Sequence, residues 1–117
     1  MNDRAGAERG GRRAELLAAW WLRLKGYSII GQRVRCPRGE IDIIARRGRT
    51  LAFVEVKQRR NADAAAMAIN PHSLRRVVAA AAALAPRYMR AGDIIRIDAV
   101  LIAKRCLPRH LMNIWHG

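Results

Sequence analysis

Gly39-Glu40-Ile41-Asp42-Ile43-Ile44-Ala45, then Arg46-Arg47-Gly48-Arg49-Thr50, then Leu51-Ala52-Phe53-Val54-Glu55-Val56-Lys57: the reading of this stretch decides the fold. Two apolar runs of strand composition flank a short basic turn. If Gly48-Arg49 is a two-residue loop, glycine at its first position predicts a type II′ hairpin. The register then sets Asp42 opposite Glu55 and Glu40 opposite Lys57. Side chains alternate along a strand, so Glu40, Asp42, Phe53, Glu55 and Lys57 share one face. Ile41, Ile43, Val54 and Val56 take the other face as core. Only nine acidic residues stand against 23 basic ones, yet three of the nine lie in these two strands.

Upstream, Met1 to Arg12 is rich in glycine and charge and reads as a flexible basic arm, whose arginines could touch phosphate. The remainder, 13–117, reads as a single domain. Arg13 to Lys25 has helical periodicity, with Leu16, Leu17, Trp20, Trp21 and Leu24 forming an apolar face. Gly26 stands where a helix would stop. Glu15 lies in the first turn, where it would favour the helix dipole. Tyr27 to Val34 is a strand that ends at the Cys36-Pro37-Arg38-Gly39 turn.

Downstream, Gln58 to Ile69 is a loop or weak helical turn. Asn70-Pro71 predicts a helix start, with Asn as cap and Pro at the first helical position. That helix carries Leu74, Val77, Val78, Ala81 and Leu84, and Pro86 should end or kink it. Asp93 to Ala103 is an apolar strand interrupted by Arg96 and Asp98. Leu111 to Trp115 is a candidate edge strand. The order predicts an α/β fold: a mixed central sheet of four or five strands flanked by two main helices.

At 117 residues the chain fits one domain, and its net charge of +14 is carried mostly by arginine. Such an excess self-repels in a compact body and predicts a polyanionic partner. Arginine grips phosphate with two donors at once, so nucleic acid is the expected partner, although a GC-rich genome would also inflate arginine. Cys36 and Cys106 suggest neither a disulfide framework nor a zinc site. No apolar signal segment follows the opening charges, and the run Val77 to Ala85 is too short to span a membrane. A cytoplasmic location without membrane contact is the expectation. His72, His110 and His116 have no ligand-like arrangement, and no aromatic stacking platform is evident.

Two carboxylates on adjacent strands repel unless something positive lies between them. Asp42 and Glu55 would suit Mg²⁺, which takes one or two carboxylates and keeps its waters. Lys57 points the same way and could orient a water or neutralise a phosphorane-like transition state. The competing reading is structural. Glu40 would pair with Lys57 across the strands, and an arginine such as Arg75 or Arg76 would neutralise Asp42. On the residues alone the two readings stand level.

The blocks Gly39-Glu40-Ile41-Asp42-Ile43-Ile44-Ala45 and Phe53-Val54-Glu55-Val56-Lys57-Gln58-Arg59 resemble the YraN family of bacterial proteins, which has a restriction-endonuclease-like core of the PD-(D/E)XK class. The resemblance runs from about Glu15 to Val100 and includes Lys25-Gly26-Tyr27 and Arg96-Ile97-Asp98-Ala99-Val100. It implies that Asp42 and Glu55 bind Mg²⁺ or Mn²⁺ and that Lys57 is the motif's lysine. It implies too that Glu15 approaches the metal site from the helix. Glu40 and Asp98 match family positions of supporting or structural character. The family's glycine before the helix glutamate is Ala14 here. Its lysine near the start of the second long helix is replaced by Ser73, with Arg75 and Arg76 close by. Arg59, Arg75 and Arg76 are the expected contacts to nucleic acid. The implied activity is metal-dependent hydrolysis of phosphodiesters, with DNA favoured, branched or single-stranded forms included. Nucleases that cut two strands often pair, so a homodimer is compatible with it. A non-catalytic nucleic-acid-binding protein on the same fold is the alternative, and a scaffold for an acidic protein is a third reading.

Overall fold

The computed structural model describes residues 3–115. Helix α1 spans Asp3–Leu24, followed by strands β1 (Ser28–Cys36), β2 (Gly39–Arg47) and β3 (Thr50–Arg59). Helices α2 (Ala62–Met67) and α3 (Pro71–Tyr88) lead to β4 (Ile94–Ala103) and β5 (Arg109–Leu111). The strands form one sheet in the order β1-β2-β3-β4-β5. β3 and β4 are parallel, and the other neighbours are antiparallel. A mixed sheet of this kind needs a crossover between its parallel strands, and α2 with α3 supplies it. Among the described residues no helix is long and apolar enough to cross a membrane.

The central hairpin has the expected loop. Arg47 pairs with Thr50, and Gly48 has a φ of 60° while Arg49 does not share that hand. Glycine takes this conformation without the Cβ clash other residues would meet. The ladder runs from that turn to Ile43↔Val54 and stops there.

Two cores sit on opposite faces of the sheet. One packs Ala14, Ala18, Ala19 and Leu22 of α1 against Ile43, Ala45, Ala52, Val54, Val100 and Ile102. The other packs Val77, Ala80, Ala81 and Leu84 of α3 against Ile41, Ile44, Leu51, Phe53 and Ile97. Ile41 therefore belongs to the α3 side and not, as alternation predicts, with Ile43. The phase of β2 changes between them, at Asp42.

Other expectations need correction. α1 begins at Asp3, inside the stretch read as an arm, where Arg4, Ala5, Ala7 and Glu8 are all good helix formers. Met1 and Asn2 lie outside the described residues. The helix also turns its predicted apolar face outward: Leu16, Leu17, Trp20 and Leu24 are exposed, and small alanines face the sheet. Alanine lets the helix backbone approach the strands closely. Pro86 does not stop α3, which continues to Tyr88. It stands in the last turn on the exposed side, where one lost hydrogen bond leaves a carbonyl that water can reach. The edge strand β5 forms at Arg109–Leu111, upstream of the expected segment. Asn70 caps α3 as predicted, in a capping box with Ser73.

Candidate active site

Asp42 stands where β2 leaves β3. Its Oδ2 accepts a hydrogen bond from the backbone N–H of Val56 at 2.8 Å. The carboxylate so replaces the ladder bond lost beyond Ile43. Glu55 and Lys57 follow on β3, and their side chains meet at 3.1 Å. They are mostly buried, with 15% and 21% of their side chains exposed.

A cavity of about 200 Å³ opens beside Glu55 and Lys57, lined by these two with Gly39, Glu40, Ser73, Arg76 and Val77; Asp42 is not part of its lining. It lies between the start of β2, the end of β3 and the first turns of α3. Two carboxylates and two cations thus share one concave space.

The expected Glu40–Lys57 bridge does not form. Glu40 accepts from Arg35 at 3.1 Å, and Lys57 turns along its own strand to Glu55. The reason is the early end of the β2–β3 ladder: beyond Asp42 the two strands diverge. Glu15 of α1 does not line this cavity; it lies in a separate hollow with Arg12 and Arg33, and accepts from Arg33 Nε at 2.5 Å. Arg33 has a φ of 50°, a sparsely populated conformation for a residue with a side chain.

Each of Glu15, Glu40 and Glu55 therefore carries its own cation. Among the described residues Asp42 has no such bridge. Burial pushes its carboxyl up to about 7, and the charge of Glu55 adds to the effect. Val56 N–H opposes the shift, while Glu15 and Glu40 reinforce it weakly. Asp42 thus feels three other acids, from α1, β2 and β3.

Arg76 lines the cavity. Arg75 and Arg59 are exposed and outside its lining, and Arg59 donates Nη1 to the carbonyl of Gln58 at 2.6 Å. Asp98 is elsewhere. It is fully buried on the α1 side, where it accepts from Arg96, His110 and the backbone N–H of Asn113.

Arg33 and Arg35 escaped the sequence reading. The signal was present: Pro37-Arg38 makes a two-residue loop between β1 and β2. That register pairs Arg35 with Glu40 and brings Arg33 abreast of Asp42. The bond between His110 and Asp98 had no sequence signal.

Among the described residues no group of three or more His, Cys, Asp or Glu side chains is arranged to hold a metal. Mg²⁺ does not require one, since one or two carboxylates with water and phosphate suffice. Asp42 and Glu55 fit that smaller demand. They are adjacent, hard oxygen donors whose mutual repulsion a cation would relieve.

Residues 14–102 match the sequence profile described as "Uncharacterised protein family UPF0102". The chain is 61% identical over 112 residues to a UPF0102 protein of Sphingopyxis alaskensis, covering 96% of this chain and 97% of that one. It is 58% identical over 117 residues to a UPF0102 protein of Rhizorhabdus wittichii, covering 100% and 99%. A UPF0102 protein of Caulobacter vibrioides is 45% identical over 112 residues, covering 95% and 90%.

Proposed function

The chain belongs to the UPF0102 family, a YraN-like group, and on that footing we propose that its acidic cavity is the active site of a metal-dependent endonuclease with a restriction-endonuclease-like core. The observation that carries this reading is Asp42. A half-buried carboxylate without a cation, beside a second carboxylate, is a costly arrangement for a fold to keep. Perturbed groups of this kind cluster at functional sites.

Asp42 and Glu55 would hold Mg²⁺ or Mn²⁺. When bound, such an ion polarises a phosphate and acidifies a water. Lys57, already bonded to Glu55, sits in the same cavity as Arg76. Both cations face the space a phosphate would enter and would oppose the charge that builds on it during hydrolysis. Glu15 adds a further carboxylate from α1, held by Arg33. The chain's charge of +14 suits a nucleic-acid substrate, with DNA favoured.

The test is a cleavage panel of linear, branched, flapped and single-stranded DNA, with RNA alongside, in Mg²⁺ or Mn²⁺. The wild-type protein should cut at least one substrate. Glu55→Ala and Lys57→Ala should still bind it while cutting at least about a hundredfold more slowly. If the wild type binds these substrates and cuts none, the protein is a binding module on this fold and the nuclease reading fails.

A further inference from the structure

Outside the acidic cavity, the most unusual surface is the outer face of α1. Trp20 is 61% exposed, and Leu16, Leu17 and Leu24 are exposed beside it. A hollow of about 290 Å³ lies among Arg13, Leu16, Leu17 and Trp20. A second, of about 410 Å³, runs beside Glu15, Leu16 and Arg33. Leu16 lines both, so an apolar and basic trough leads from the carboxylate of Glu15 to the indole of Trp20.

We propose that Trp20 is a stacking platform for an unpaired base of the nucleic-acid strand whose phosphate enters the acidic cavity. This rests on the nuclease reading and narrows its substrate to one with a single-stranded segment next to the cut.

Two features select a nucleic acid as occupant. The first is charge. The Arg23 guanidinium lies over a Trp20 ring, 5.8 Å from its centre, and Arg13 lines the same hollow as the indole. An exposed indole with guanidiniums near it offers its open π-face to a base and donors to the neighbouring phosphates. The second is nearness to the acidic residues. Glu15 belongs to the trough, and Arg33, which holds it, stands on β1 abreast of Asp42.

A second copy of the chain fits this face poorly. Among the described side chains of α1 the one acid is Glu15, and Arg33 already holds it. A twofold contact would set Arg12, Arg13 and Arg23 against the same arginines. A lipid surface would meet the leucines but make no use of the path to Glu15.

The test compares wild type, Trp20→Ala and Trp20→Phe, with EDTA present to suppress cleavage. Fluorescence anisotropy measures affinity for a labelled single-stranded oligonucleotide and for a blunt duplex of the same length. Trp20→Ala should weaken single-strand binding by roughly five- to a hundredfold, the worth of one stacked base, and duplex binding by less than about twofold. Trp20→Phe should restore most of the loss. The side chain is exposed, so melting temperatures should match and exclude misfolding.

Unchanged single-strand affinity in Trp20→Ala overturns the proposal, as does an equal loss on both substrates. So does a variant that keeps its single-strand affinity but loses sedimentation with phosphatidylserine vesicles, or loses self-association. If the wild type binds neither nucleic acid, the nuclease reading falls and takes this proposal with it. If the wild type binds and cuts while Trp20→Ala behaves identically, only the stacking platform is lost.

Discussion

Asp42 and Asp98 are both aspartates drawn into the sheet, on strands that flank β3 on either side. Burial raises the proton affinity of each, but their neighbours then divide them. Asp98 receives two bonds from Arg96, at 2.9 and 2.8 Å, one from His110 at 2.8 Å and one from Asn113 N–H at 2.9 Å. These outweigh burial and hold its carboxyl below the usual range. Asp42 receives one backbone N–H and faces Glu55, and its carboxyl rises to about 7. The same side chain thus serves as a structural clamp where its lone pairs are filled. Where they are not, it keeps a raised proton affinity.

The clamp is extensive. Arg96 also donates to the Tyr27 hydroxyl, and the Lys25 ammonium lies 2.5 Å from His110 Nδ1. A lysine ammonium can only donate, so Nδ1 accepts and the ring presents its Nε2 to Asp98. Tyr27 and His110 meet edge to face with ring centres 5.7 Å apart. This network ties the end of α1 to β4 and β5.

Breaking the clamp should have the largest effect on stability. Asp98→Ala leaves the Arg96 cation, only 19% exposed, without its carboxylate. Unfolding in urea should report a loss of about 3–5 kcal/mol, the usual cost of orphaning one partner of a buried pair. A loss near zero would mean that Asp98 is not the anchor described.

Asp42→Asn should act in the opposite sense. The carboxamide oxygen can still accept from Val56 N–H, and the half-buried charge is gone. At pH 8 the variant should gain roughly 0.5–2 kcal/mol, as when a strained functional group is relieved. The pH dependence sharpens the contrast. Folded Asp42 binds its proton up to about pH 7, whereas an unfolded aspartate releases it near pH 3.9. Its stabilising contribution is complete below about pH 4 and is lost as pH rises towards 7. The depressed pKa of Asp98 gives the reverse, stability present above about pH 4 and lost as pH falls further. Urea midpoints from pH 4 to 8 should therefore slope less steeply downward in Asp42→Asn than in wild type.

The smallest effect belongs to Arg35→Ala. The Arg35 side chain is 84% exposed in its pair with Glu40, so the same unfolding assay should shift by no more than about 0.5 kcal/mol.

Part of this was legible in the sequence. Gly48-Arg49 fixed the central register because a two-residue loop leaves the strands no freedom to slip. Asn70-Pro71 marked the start of α3 because cap chemistry is local. The acids of β2 and β3 were legible as residues out of keeping with apolar strands. What was hidden depends on contacts between distant segments. The outward face of α1 was misread because periodicity weights large side chains, while the sheet selected Ala14, Ala18 and Ala19 for close approach. The phase change at Asp42 was hidden because alternation assumes an unbroken ladder. The partners of Glu15 and Asp98 lie on other elements altogether.

β1 has one more consequence. It is an outer strand of the sheet, and its pairing with β2 shifts at Ile30, between Ile29 and Gly31. A Cβ on Gly31 would stand 2.9 Å from the Val34 side chain, so the irregular backbone there is packed tightly. Farther along, Arg33 turns left-handed, and Arg35 projects into solvent. An open strand normally offers a row of unpaired donors and acceptors to any passing chain. Here the row is broken by the shift, twisted at Arg33 and guarded by two guanidiniums. The opposite border, β5, is only three residues long. Both borders of the sheet are thus protected against adding a foreign strand, and this lessens the hazard of runaway sheet growth in a chain so rich in isoleucine and valine.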